Sequence, residues 1–125
     1  MRFSGSESGD LALRTRQYAA RIIRLYAALP KTVPAQIIGK QLLRSGTSVG
    51  AHVAESKRGR SSADFANKVD GALQELEESL YWMNLLIDTK IFSPAKLRDL
   101  MDETNQIIAI LVTMARRTRR SMNKG

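Results

Sequence analysis

The segment at residues 42–65, LLRSGTSVGAHVAESKRGRSSADF, decides the fold of this chain. Its first part has the apolar spacing of a helix but contains two glycines, Gly46 and Gly50, among other small residues. Because glycine inside a helix costs about 1 kcal/mol relative to alanine, we expect a neighbouring helix or chain to approach closely there. The basic turn KRGR follows at residues 57–60, and Gly59 is expected to end the helix in the left-handed conformation.

Helical patterns continue on both sides of this segment. Apolar residues recur at three- and four-residue steps, which is typical of amphipathic helices. Pro30 ends the first helix, Ser61 caps the start of the third, and Ser93-Pro94 begins the fourth. The second helix carries Ile37 on its predicted core stripe. The predicted helices are at about residues 10–29, 34–56, 62–90 and 94–119.

Four helices of similar length with short connections predict an all-α fold, an antiparallel up-down-up-down four-helix bundle. The bundle is predicted to occupy residues 10–120. The Ser/Gly-rich residues 1–9 are expected to form a disordered N-terminal tail, and residues 121–125 a basic C-terminal tail.

The composition limits the classes of function. The chain has 125 residues, enough for one domain, and it has no cysteine, which excludes disulfides, thiolate metal sites and a cysteine nucleophile. No apolar run approaches the roughly 18 residues of a membrane span, and the N-terminal residues lack a signal-peptide core. We therefore expect a cytoplasmic protein without a membrane partner. The net charge of +8 and the pI near 10.3 favour a polyanionic partner such as RNA or DNA.

The charge is distributed unevenly along the chain. Residues 1–60 carry 11 basic and 3 acidic side chains, residues 61–92 carry 2 and 6, and residues 93–125 carry 7 and 3. The predicted third helix is therefore acidic and has basic neighbours on both sides in the sequence.

Two groups of basic residues are candidate phosphate ligands. The candidates are Arg116, Arg117, Arg119 and Arg120 in the fourth helix, and Arg44, Lys57, Arg58 and Arg60 in and after the second. If the fourth helix continues, its four arginines fall within an arc of about 160°, from which guanidinium groups can hold phosphates bidentately. The alternatives are a solvated basic tail for the first group and capping of the second helix by the other. No recognition helix, zinc finger or aromatic stacking motif predicts base-specific recognition.

Two of the predicted helices have more apolar surface than a single bundle needs. Between residues 80 and 87, apolar or aromatic side chains point in nearly every direction, and between residues 107 and 114 they cover about 200° of the helix. Self-association is the simplest way to bury this surplus. The candidate interface residues are Tyr81, Trp82, Leu85, Ile110 and Val112.

The pattern of acidic and histidine residues does not predict catalysis. His52 is the one histidine in the sequence, so the paired Glu-x-x-His motifs of a di-metal bundle are excluded. A packed or capping histidine is favoured over a zinc ligand shared between subunits. Glu75, Glu77 and Glu78 are neighbours on one helix rather than across a cleft, so we expect them to pair with arginines. The expectation is a non-enzymatic protein with no cofactor and no metal.

The residues of the second and third helices resemble those of a known family. The string LLRSGTSVGAHVAE at residues 42–55, with RSSADF at 60–65, Ala72-Leu73 and Glu75-Leu76-Glu77, is similar to the four-helix-bundle family of 23S rRNA-intervening-sequence proteins. The similarity extends over about residues 14–112. This chain departs from the family pattern at His52, where asparagine is usual, and at Ser56, where glycine is usual.

The resemblance implies an antiparallel four-helix bundle that assembles into a ring, commonly a pentamer. Distant relatives are accessory proteins of diversity-generating retroelements, in which a basic ring binds a reverse transcriptase and nucleic acid. The first hypothesis is therefore a non-enzymatic, ring-forming homo-oligomer that binds RNA or DNA with little sequence preference. The alternative is an oligomeric scaffold that docks a partner protein without binding nucleic acid.

Overall fold

The computed structural model describes residues 5–124, with side chains from residue 10 onward, and confirms the predicted all-α four-helix bundle. The helices are α1 (Gly5–Ala28), α2 (Val33–Ser56), α3 (Ser62–Asp88) and α4 (Pro94–Lys124). None of the helices in this part of the chain is long and apolar enough to cross a membrane.

The first and last helices extend beyond their predicted limits. α1 begins at Gly5, so the predicted tail at residues 1–9 is helical from residue 5, and residues 1–4 lie outside the described residues. Adding one residue to an existing helix is far easier than starting a helix, which allows α1 to continue through weak helix formers. α4 runs to Lys124, past the predicted end at 119, because neither proline nor glycine interrupts it and Thr118 is still buried.

Side-chain contacts show that successive helices are antiparallel. The contacts that define the arrangement are Gly39 with Leu29 and Gly50 with Thr15 for α1 and α2, Ser45 with Ser79 and Glu55 with Lys68 for α2 and α3, and, for α3 and α4, Asp70 with Arg119 together with the short connection at residues 89–93. Packing is extensive between helices that follow each other in sequence, and it is sparse between α1 and α4. The bundle therefore has one loosely packed seam, where its first and last helices meet.

Two of the three glycines of α2, Gly46 and Gly50, lie where α1 approaches closely. A Cβ atom on Gly46 would lie 2.6 Å from Cγ1 of Ile22, and a Cβ atom on Gly50 would lie 3.2 Å from the hydroxyl oxygen of Thr15. The close approach predicted for this small-residue segment is thus confirmed, and the neighbour is a helix of the same chain.

A layer of hydroxyl groups crosses the centre of the apolar core. The Ser45 and Ser79 oxygens lie 2.8 Å apart, and the Tyr18 hydroxyl lies 2.7 Å from the Thr104 oxygen. All four residues are buried, and burial raises the pKa of the Tyr18 phenol. Because each helix contributes one hydroxyl to these two contacts, a shift of any helix along its axis breaks a buried interhelical hydrogen bond.

Two details of the predicted helix ends and core are wrong. Ile37 is 59% exposed, because Ala35 and Ile38 occupy the core-facing positions of that turn. Gly59 does not have a positive φ; the left-handed residue is Lys90, with φ of 61°. There the N–H groups of Lys90 and Ile91 donate to the carbonyls of Ile87 and Leu86, a pairing that ends α3 at Asp88 instead of residue 90.

Candidate nucleic-acid interface

The arginines of the last turns of α4 lie on the surface of the bundle. Arg116, Arg117, Arg119 and Arg120 are all exposed, whereas Thr118 between them is buried against the core. Thr118 therefore fixes the helix face that packs inward, and the four guanidinium groups spread over the faces that remain. Because α4 extends to Lys124, these four residues lie on a regular helix. This is the condition under which the four arginines fall within an arc of about 160°.

The turn between α2 and α3 holds the other basic cluster in a defined conformation. The N–H groups of Arg58 and Gly59 donate to carbonyls at the end of α2, at 3.1 Å in each case. The Ser61 hydroxyl then accepts from the N–H of Asp64 at 3.1 Å, which confirms the predicted cap of α3. Because both helix ends are tied in this way, residues 57–60 are confined to a short exposed turn.

The up-down-up-down order brings the two clusters to one end of the bundle. α2 and α4 run in the same direction, so both finish at the end where α3 begins. The ion pair between Arg119 on α4 and Asp70 in the first third of α3, at 2.6 Å, places the α4 arginines beside the part of α3 that follows the turn at residues 57–60. We call this surface the basic pole; it consists of Lys57, Arg58, Arg60, Arg116, Arg117, Arg119 and Arg120.

Three acidic side chains near the basic pole already have partners. Glu55 pairs with Lys68 at 3.2 Å, Asp64 accepts from the backbone N–H of Arg60, and Asp70 pairs with Arg119. Among the described residues, no ion pair involves the side chains of Arg58, Arg60, Arg116 or Arg120. The field of the pole is therefore positive, with several guanidinium groups directed to solvent.

Arg44 does not join the basic pole. It lies in the middle of α2 and bridges to α3, where its guanidinium contacts the carboxylates of Glu75 and Glu78. The hydrogen bond that Arg44 donates to Glu78 lowers the pKa of the Glu78 carboxyl group. The expected pairing of the α3 glutamates with arginine is thus confirmed for these two residues, and the structure separates Arg44 from the other candidate phosphate ligands.

The candidate interface residues lie on the outer sides of α3 and α4. Tyr81 is 59% exposed and makes an edge-to-face contact with Trp82, with ring centroids 4.8 Å apart. Trp82, Leu85, Ile110 and Val112 are half-buried. The Arg119–Asp70 pair sets an antiparallel register that places Ile110 at the level of Ser79, within a turn of Tyr81. The five residues do not share one face: Trp82 donates to Glu78 beside Arg44 of α2, whereas Ile110 lies one turn after Gln106, which contacts Arg14 of α1.

The sequence reading missed a second group of exposed apolar residues. Leu13, Ile23, Val33 and Ile37 on α1 and α2 are each more than half exposed. Two of them, Ile23 and Ile37, directly adjoin a buried isoleucine, so a count of apolar positions does not separate them from the core. Their exposure follows from how α1 and α2 pack on each other.

His52 occupies a packed position between α2 and α3. Its Nδ1 atom is buried without a hydrogen-bond partner, and its Nε2 atom lies 3.7 Å from a Glu75 oxygen. A Cβ atom on Gly71 would lie 2.9 Å from Nδ1, so the glycine makes room for the ring. Within residues 10–124, no group of three or more metal-ligating side chains lies close enough together to hold an ion.

Comparison with known proteins agrees with the fold and with the resemblance. The family model for the 23S rRNA-intervening sequence protein matches residues 10–113. A crystal structure of a protein of unknown function from the S23 ribosomal protein family of Bacteroides thetaiotaomicron VPI-5482 is similar, with 32% sequence identity and a TM-score of 0.81. That similarity covers 87% of this chain and 97% of the other. No curated protein matches the chain. The matched residues include all of α2 and α3 and most of α1 and α4, and this chain belongs to the family of 23S rRNA-intervening sequence proteins.

Proposed function

We propose that this protein is a non-enzymatic homo-oligomer that binds RNA or DNA through the phosphate groups contacted by its basic pole. The observation that carries the proposal is the convergence of two separate basic segments on one end of the bundle, where the carboxylates of Glu55, Asp64 and Asp70 already have partners. Because contacts to phosphates carry no base information, the binding has little sequence preference.

Oligomerisation strengthens such binding without any new contact. If the subunits form a ring, as the resemblance implies, each basic pole is repeated around it, and a long polyanion meets several poles at once. The exposed side chain of Tyr81 beside Trp82 and Leu85 supports the part of the proposal that concerns self-association. The family name connects these proteins with ribosomal RNA, which makes structured RNA the first probe to test.

The test is fluorescence anisotropy of nuclease-treated protein with labelled RNA and labelled duplex DNA, at salt concentrations between about 50 and 200 mM. The binding variant carries Arg116→Gln, Arg117→Gln, Arg119→Gln and Arg120→Gln. Loss of four phosphate contacts makes the slope of log K against log salt shallower by about 3. The matched control removes four exposed charges at the other end of the bundle: Lys31→Gln, Lys40→Gln, Lys90→Gln and Arg98→Gln.

The outcomes separate the proposed function from its alternative. Tight binding that weakens steeply with salt, and that the binding variant loses more than the control, supports nucleic-acid binding by the basic pole. Equal losses in both variants mean that only the net charge matters. Weak binding by the wild-type protein at every salt concentration contradicts the proposal and leaves the oligomeric scaffold that docks a partner protein.

A further inference from the structure

The loosely packed seam between α1 and α4 contains an open groove. On one side of it the two helices are joined by the ion pair of Arg14 with Glu103 and by the hydrogen bond of Tyr18 with Thr104. Beyond these contacts, towards the end of α1, lies a groove of about 350 Å³. The groove is lined by Arg21, Arg24, Leu25, Lys96, Leu97 and Leu100.

The groove has an apolar floor and a basic rim. The three leucines are buried, whereas Arg24 and Lys96 are exposed and Arg21 is half-buried. Among the described residues, neither Arg21 nor Arg24 takes part in an ion pair, and Lys96 lies over the ring of Phe92 at 5.6 Å. Three cationic side chains thus face one cavity that contains no carboxylate of its own.

The acidic residues closest to the groove lie outside its lining, and the charge of Arg21 contributes to the lowered pKa of the nearest one, Glu103. Glu103 lies about one turn beyond Leu100 on α4, and both of its carboxylate oxygens accept from Arg14 at 2.7 Å. Asp99 and Asp102 are exposed and do not line the cavity. Lys96 and Leu97 lie in the first turns of α4, where the helix dipole adds to the positive potential.

We propose that this groove is a second phosphate-binding site, which holds the backbone of the same RNA or DNA strand that the basic pole contacts. The inference rests on the proposed function. Arginine pairs facing a lysine match the oxygens of one or two phosphates, and the leucine floor accepts the less polar sugar edge. The distance along α4 from Lys96 to Arg116 is about 30 Å, or roughly nine phosphates along one strand of a duplex.

The experiment uses the full-length protein and a labelled poly(U) RNA of about 20 nucleotides, which is long enough to reach both sites. The groove variant carries Arg21→Gln, Arg24→Gln and Lys96→Gln. The control variant carries Lys31→Gln, Lys40→Gln and Lys90→Gln, and it removes the same charge from the same end of the bundle outside the groove. Circular dichroism and thermal unfolding verify that both variants fold.

At about 200 mM salt, the groove variant is expected to bind the RNA about 10-fold more weakly than the wild-type protein does. Its slope of log K against log salt is expected to be shallower by about 1 or more. The control variant is expected to bind within a factor of about 2 of the wild-type protein, because dispersed charges contribute little at this salt concentration. Equal losses of RNA affinity in the groove and control variants would overturn the proposal that the groove is a phosphate-binding site.

Two further results distinguish the groove from the basic pole. If the variant lacking the four α4 arginines loses RNA binding while the groove variant does not, the groove proposal fails and the proposed function stands. If the wild-type protein does not bind RNA, both fail. A labelled poly(glutamate) peptide is measured in parallel; a loss of peptide binding without a loss of RNA binding in the groove variant would assign the groove to acidic peptides and overturn the proposal.

Discussion

At the scale of single residues, Gly46 is the position where an added methyl group has the most predictable effect. Its Cβ atom would lie 2.6 Å from Ile22, which is completely buried and has little freedom to move. Overpacking of this kind costs about 1–3 kcal/mol, and the gain in helix propensity returns about 1 kcal/mol. We expect Gly46→Ala to lower the free energy of unfolding by about 1 kcal/mol, measured by urea denaturation at a fixed protein concentration.

Gly50→Ala is the matched control on the same helix. Its Cβ atom would approach only Thr15, at 3.2 Å, so the cost of overpacking is smaller and the propensity gain offsets more of it. The free energy of unfolding of this variant is expected to exceed that of Gly46→Ala. Equal stability of the two variants would contradict the role assigned to Ile22.

The sequence predicted such residues well where the signal is local. Because glycine destabilises a helix, Gly46 and Gly50 predict a close approach by a neighbouring helix. Ser61 is predicted to cap α3 because it lies three residues before Asp64. The environments of Ile37 and Arg44 were harder to predict from the sequence, because residues of other helices surround these side chains. A pattern along one helix places Ile37 near the core stripe, and only the packing of α2 against its neighbours decides which of two adjacent isoleucines is buried.

At the scale of helices, the Arg14–Glu103 ion pair is the main polar link across the sparse α1–α4 seam. Arg14 lowers the pKa of Glu103, so the stabilisation is present above the ordinary glutamate pKa of about 4.5 and is lost as pH falls through the lowered value. We expect Glu103→Gln to reduce the free energy of unfolding by about 1 kcal/mol at pH 7. The difference from the wild-type protein should be smaller at pH 3 than at pH 7, in urea denaturation at both pH values.

Glu77→Gln serves as the control for this pH dependence. Glu77 is exposed, and no ion pair with another described residue involves it. Its replacement is expected to change stability little at either pH. A Glu103→Gln effect of the same size at pH 3 and pH 7 would show that the link acts through packing and not through charge.

The helices themselves were largely predictable, but the surfaces between them were not. Periodicity and the start and stop residues located all four helices. The end of α4 was placed too early because the burial of Thr118 depends on the rest of the bundle. The groove between α1 and α4 has no signal in the sequence, since Arg21, Arg24 and Lys96 are far apart along the chain and ordinary as helix-surface residues.

At the scale of the whole molecule, the apolar surface around Tyr81 predicts self-association. We expect the wild-type protein to sediment as a multiple of its 13.9 kDa chain, five-fold if it is a pentamer. Tyr81→Arg places a charge on the exposed apolar surface of α3 and should shift the protein towards the monomer, measured by sedimentation velocity.

The control for this experiment is Gln17→Arg, which adds the same charge at an exposed position on α1, outside the candidate interface. Its sedimentation is expected to match that of the wild-type protein. A monomeric wild-type protein at micromolar concentration, or an equal shift in both variants, would show that the Tyr81 surface is not an interface between copies of this chain.

The sparse contact between α1 and α4 also has a consequence for the order of folding. All the extensive packing joins helices that follow each other along the chain, so each helical hairpin forms with a short loop and a small loss of entropy. Proteins with such local contacts fold within microseconds to milliseconds. During synthesis, α1 and α2 are complete before α4 exists, and the first hairpin is free to pack early. The contact of Arg14 with Glu103 joins the beginning of the chain to its last helix, and it therefore closes the bundle at the end of folding.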